Sequence, residues 1–192
     1  MKPFITPIAF SEVSYKVALL HKALEVLELS ASEKEVAHMK AGLDTRKKVR
    51  TLQRQLNVPI DQSTLVNQAT AAALNDALER RGFMKASDAF TVTGNAHLPD
   101  GSPKKRQLLL AFDVDLRGAA VYRTVKTLPE IEKNGGFEFL GEAVSDAQGN
   151  YSITFYNWQY RRAERGKADV VVYAVEEADR PARIVGQSRL VH

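Results

Sequence analysis

Residues 69–94 read ATAAALNDALERRGFMKASDAFTVTG. Up to Arg80 the side chains of Ala73, Leu74 and Leu78 recur at the spacing of one helix face. Gly82 stands just past them, where a left-handed residue ends a helix. From Phe90 the period drops to two. Phe90 and Val92 alternate with Thr91 and Thr93, as in a half-buried strand. This change of period divides the chain into a helical half and a β half, with the boundary near Gly82–Ala89.

Working toward the N-terminus, Ala69–Arg80 is expected to be a helix capped by Ser63 or Asn67. Arg46–Leu56 forms another, with the stripe Val49, Leu52 and Leu56, a cap at Asp44 or Thr45, and Pro59 beyond it. Ser32 and Glu35 have the spacing of a capping box, so a short helix should start near Glu33 and close at Gly42. Ser14–Leu29 carries Val17, Leu20, Leu24 and Leu27 on one face.

Working toward the C-terminus, six or seven short strands are expected. They are Phe90–Gly94, Leu108–Val114, Phe137–Val144, Tyr151–Tyr156, Val170–Val175 and Ile184–Val191. Pro99-Asp100-Gly101, Asn134-Gly135-Gly136 and Gln148-Gly149-Asn150 supply turn chemistry. In Asp146-x-x-Gly149-x-Tyr151 the Asp should bond the turn backbone and the Gly take a positive φ, closing a hairpin. Strands without interleaved helices imply an antiparallel sandwich. The fold class is therefore α+β in two domains. Residues 1–13 form an N-terminal extension, 14–84 a helical domain, 85–89 a linker and 90–192 a β-sandwich of about seven strands.

The helical half resembles the peptidoglycan-binding-like domain family, a three-helix fold. The resemblance rests on Thr45, Val49 and Leu52-Gln53, the loop Leu56–Asp61, and Thr70–Leu74, with Leu20-His21 and Leu24 matching the first repeat. Gln62 and Asn67 stand where the common pattern has Gly. The β half resembles the carboxypeptidase-regulatory-like or transthyretin-like sandwich. The carrying residues are Val92-Thr93-Gly94, Asp100–Pro103, Ala111–Arg117, Leu140-Gly141-Glu142, Asp146–Tyr151 and Ala168-Asp169-Val170, with 118–136 as an insertion. In this order the two resemble the region preceding the neuraminidase-like part of bacterial Tc-type insecticidal toxin A components. The resemblance implies a toxin component in a virulence context.

The chain has no cysteine, which excludes disulfides, thiolate metal sites and a cysteine nucleophile. Pro3 and Pro7 interrupt the short apolar run at the N-terminus, so a cleavable signal peptide is not expected. No stretch approaches the roughly 20 apolar residues of a membrane span. Synthesis in the bacterial cytoplasm is expected, with release or export as part of a complex left open. Residues 1–86 hold 13 basic and 9 acidic residues, and residues 87–192 hold 14 of each. The excess in the first half is consistent with an anionic partner or with a solvated helix face.

His21, His38, His97 and His192 show no metal-ligand spacing, and neither a nucleophile elbow nor a phosphate loop is present. Asp113 and Asp115 lie on one side of a strand, where they could bind Ca²⁺, act as an acid/base pair, or simply pair with Arg117 or solvent. Pairing or solvation is preferred, and no metal or cofactor is expected. Basic clusters occur at Arg46–Arg54, at Lys104-Lys105-Arg106, and at Arg161, Arg162, Arg165 and Lys167. The last follows Tyr156, Trp158 and Tyr160, and Trp, Tyr and Arg are the types enriched at binding hot spots. Trp158, Tyr160, Arg161, Arg162 and Arg165 are therefore the expected partner-binding residues. The competing reading has Trp158 sealing the sandwich core. The expected function is a non-enzymatic binding or scaffolding module of a toxin-like assembly. Its partner would be a protein or a surface glycan, not nucleic acid. The alternative is a cell-wall protein that binds peptidoglycan or another glycan.

Overall fold

The computed structural model describes residues 5–134, 136–160, 168–176 and 182–191, without the side chains of Leu116, Arg117 and Glu132. The chain separates into two units, Met1–Ala86 and Ser87–His192. No helix among the described residues is long and apolar enough to cross a membrane.

The first unit holds four helices: α1 (Tyr15–Val26), α2 (Glu33–Ala37), α3 (Leu43–Gln55) and α4 (Gln68–Arg80). Their helical period converges on one core. Val17, Leu20 and Leu24 of α1 are fully buried, as are Val49 of α3 and Leu74 and Leu78 of α4. Ala71 and Ala77 complete the buried face of α4, while Ala73 is only partly covered. Asn67 caps α4 by accepting from the Thr70 amide, and Gly82 follows it at φ +80°.

Two expectations change here. Residues 5–13 are not an extension outside the fold. Ile5 and Ile8 are buried, and Ile8 bridges Val66. Asn75 also holds the Ile5 backbone, accepting from its N–H and donating to its carbonyl. The capping box does not form either. Ser32 makes no side-chain cap bond, and the Glu35 carboxylate turns instead to the next helix. Gly42 is the N-cap of α3 rather than the end of α2. A Cβ there would collide with the Glu35 carboxylate, so the glycine provides the space for that approach.

The second unit is mixed α/β with two antiparallel sheets. Its strands are β1 (Ala89–Asn95), β2 (Leu108–Val114), β3 (Phe137–Val144), β4 (Asn150–Tyr156), β5 (Val170–Glu176) and β6 (Arg183–Gln187). One sheet has the order β3-β2-β5-β6 and the other is the pair β1-β4. Leu109, Ala111, Val170 and Val172 of the larger sheet share a buried cluster with Ile153 and Phe155 of the smaller. Opposite β2, the register shifts between Ala111 and Phe112, leaving Leu140 of β3 as an extra residue. This bulge brings Leu140 and Ala143, three apart in sequence, to the same core.

Two helices interrupt the strands, contrary to the expected all-β half. They are α5 (Leu116–Val121), which begins two residues before the stretch read as an insertion, and α6 (Leu128–Asn134), which lies inside it. Nearby Tyr122, Val125 and Ile131 are buried, as are Phe112 and Tyr173 of the larger sheet. The Tyr173 hydroxyl donates to the Tyr122 carbonyl at 2.8 Å. Burial, followed by the neighbouring Tyr122, pushes that hydroxyl's pKa well above its usual value. Thus β2 is apolar apart from Asp113 because both of its faces are covered. The described residues hold six strands, not seven, and the turn Asp146–Asn150 passes between sheets instead of closing a hairpin.

Candidate functional site

The surface expected around Trp158 is decided by a residue between the aromatics. Gln159 has no solvent exposure. Its Oε1 accepts from the Tyr156 amide at 2.7 Å, and its Nε2 donates to the Leu140 carbonyl at 2.7 Å. Asn157 N–H donates to the Asp88 carbonyl at 3.1 Å. A turn tied this way draws its neighbours inward. Tyr160 is 5% exposed, and its ring meets Phe155 and Phe90 edge-on at 6.2 and 6.3 Å. Tyr160 is therefore a core residue, and the expectation that it binds a partner is corrected. Tyr156 is buried too, whereas Trp158 keeps part of its surface in solvent. Arg161, Arg162 and Arg165, with Lys167, lie outside the described residues. No pattern in the sequence marked Gln159, because a single amide in an aromatic turn has no period.

Asp113 and Asp115 each accept from a backbone amide. Asp113 accepts from the Asp169 amide at 2.8 Å, and Asp115 accepts from the Gly118 amide at 3.0 Å in the first turn of α5. The two carboxylates thus brace separate chain segments. Asp146 accepts from the Gln148 and Asn150 amides, and Gly149 has φ +80°, so the turn chemistry is as expected. Lys104 pairs with Glu176 at 2.8 Å.

The first unit holds the more organised polar arrangement. Glu35 accepts from the Asp44 amide at 2.9 Å, the Thr45 amide at 2.8 Å and the Thr45 hydroxyl at 2.6 Å. That hydroxyl has one proton, which it gives to the carboxylate. It therefore accepts from His21 Nε2–H at 2.8 Å. The tautomer follows, with the lone pair on Nδ1. Desolvation is the largest single influence on Glu35 and raises its pKa. The bonds from Thr45, Asp44 and Gly42 outweigh it and hold the carboxyl below its usual range. Burial lowers the pKa of His21 and Glu35 opposes this, so the imidazole is held neutral.

This clamp fixes the start of α3, whose far face carries the basic cluster. Thr45, Val49, Leu52 and Gln53 face the core. Lys47, Arg50 and Arg54 follow the i, i+3, i+7 spacing on the opposite side. Arg50 donates to Gln62 Oε1 at 3.2 Å. Among the described residues none of the three forms an ion pair. Arg46, on the flank, lies over the Phe10 ring at 4.7 Å.

No protein-family model matches the chain, and no curated protein matches it. A solved structure of a 9R-lipoxygenase from Cyanothece PCC8801 aligns with 90% of this chain at 14% identity and a TM-score of 0.37. The chain spans about a fifth of that protein's length, the alignment covering 20% of it. That protein is an enzyme, whereas the sequence reading expects no enzymatic activity of this chain. A likeness this slight assigns neither a fold nor an activity.

Proposed function

We propose that the chain is a binding and scaffolding module of a bacterial toxin-like assembly, and that α3 presents a cationic face to an acidic protein surface within it. The observation carrying this reading is the stripe Lys47, Arg50 and Arg54, none of which forms an ion pair among the described residues. Seven residues of helix place its ends roughly 10 Å apart. Like charges at this spacing repel one another mildly, and an anionic partner relieves that cost. The opposite face of α3 is locked in the core and its first turn is clamped by Glu35, so the stripe sits on a rigid support. The toxin context comes from the resemblance of the two halves, in their order, to a peptidoglycan-binding-like bundle and a transthyretin-like sandwich.

The test is co-purification with the polypeptides encoded beside this chain. Binding should fall steeply with salt and be lost in the triple substitution Lys47→Glu, Arg50→Glu and Arg54→Glu, with the melting temperature kept within a few degrees. Retained binding in that variant would refute the assignment to α3. Sedimentation with isolated peptidoglycan in place of any protein partner would favour the cell-wall reading instead.

A further inference from the structure

We propose that the outer edge of β1 is an interface for a second copy of this chain, the two β1 strands pairing antiparallel about Thr91. The argument begins with hydrogen-bond parity. The β1–β4 ladder is flanked by Asn157 N–H to Asp88 carbonyl at 3.1 Å and Ala96 N–H to Gly149 carbonyl at 2.8 Å. Both contacts continue the register that pairs Ala89 with Tyr156. Bonded pairs alternate in an antiparallel ladder, so Phe90, Val92 and Gly94 turn their N–H and C=O groups toward β4. Ala89, Thr91, Thr93 and Asn95 turn theirs outward. Among the described residues no backbone group meets that outer row.

Two other edges of this unit, those of β6 and β4, are treated differently. β6 is hemmed by the segment before α6, where Thr127 bridges Arg183 and Ile184 N–H donates to the Lys126 carbonyl. The free side of β4 is stopped at both ends, by Asp146 on the Asn150 amide and by Gln159 on the Tyr156 amide. β1 has no charged residue, no proline and no register shift. Those are the usual devices that keep an edge strand unpaired. Its inward side is also unfinished. Phe90 stacks on Phe155 at 5.8 Å, yet it is 41% exposed.

A third strand beside β1 would cover Phe90, and the sequence of β1 suits itself as that strand. Pairing about Thr91 sets Thr91 against its own copy, Ala89 against Thr93, and Phe90 beside Val92 on the core side. The outward-turned residues are then the bonded ones, as the parity requires. Residues 87–192 carry 14 basic and 14 acidic residues, so no net repulsion separates two copies of this unit. The product is a continuous sheet in the order β4, β1, second β1, second β4.

The experiment uses the full chain, which has no cysteine. Light scattering coupled to gel filtration should give a concentration-dependent mass approaching twice the chain's 21.3 kDa. Thr91→Lys with Thr93→Lys sets like charges across the two-fold and should return the monomer mass with an unchanged melting temperature. Thr91→Cys should give a disulfide-linked dimer on mild oxidation, while Thr154→Cys on β4 should not. A monomer at every soluble concentration would overturn the proposal. So would a dimer that survives the double Lys substitution, or equal crosslinking at the two cysteine positions.

Discussion

Glu35 Oε2 and Thr45 Oγ1 lie 2.6 Å apart, so the first turn of α3 is capped by a side chain from α2, ten residues upstream. The orphan amides at a helix start need acceptors. A carboxylate there also meets the positive end of the helix dipole. Because the same hydroxyl accepts from His21, the cap joins α1, α2 and α3.

Acid should therefore loosen the first unit in two stages. Both His21 and Glu35 have folded pKa values below their unfolded ones, so the unfolded chain binds more protons in each window. The contribution of His21 is present above its unfolded value of 6.5 and is lost as pH falls below it. That of Glu35 is present above 4.5 and is lost as pH falls through its lowered folded value. The melting temperature should decline in both windows. Glu35→Gln should shrink the lower stage, leaving the share of Asp61, whose pKa is also lowered by bonds from Ser63, and cost about 1 kcal/mol at neutral pH, the usual worth of a cap. An unaltered acid profile in this variant would refute the clamp.

Gln159 and Tyr160 should behave as core residues. Gln159→Leu leaves the Tyr156 amide and the Leu140 carbonyl without their partner and should cost about 1–3 kcal/mol. Tyr160→Ala should cost about 3–5 kcal/mol, as aromatic truncations in cores do. Trp158→Ala should be milder than either, since its ring keeps contact with solvent. Chemical denaturation of the three variants checks the order, and a Trp158 variant less stable than the Tyr160 one would contradict it.

Leu52→Ala should cost about 2–5 kcal/mol, because Leu52 is buried on the inner face of α3 beside Val49. The far side should be tolerant. Lys47→Ala should stay within about 0.5 kcal/mol, as is usual for surface positions. Equal losses at the two positions would mean that the helix phase is wrong.

Local period and turn chemistry carried most of the element boundaries. β3 occupies Phe137–Val144 as read, Asn67 and Gly82 bracket α4, and Asp146 and Gly149 build their turn. These features depend on neighbours a few residues apart, and such neighbours are visible in a linear string. What the string alone did not settle involved partners far along the chain. Glu35 has the spacing of a capping box, yet it serves a helix that begins eight residues later because Gly42 leaves room for it. Tyr160 has the composition of a contact surface, yet Gln159 reaches back to Leu140 and pulls it inside. Helices α5 and α6 are too short for a period of their own, and they form where Tyr122 and Ile131 can be buried. The outer edge of β1, which no backbone group meets among the described residues, emerged only once β4 took the other side of it. The sequence by itself determined the four helices of the first unit and the six strands of the second, since backbone sterics and side-chain periodicity are local. Tertiary structure alone decided which polar groups are buried and which edges stay open, since both depend on contacts between segments distant in sequence.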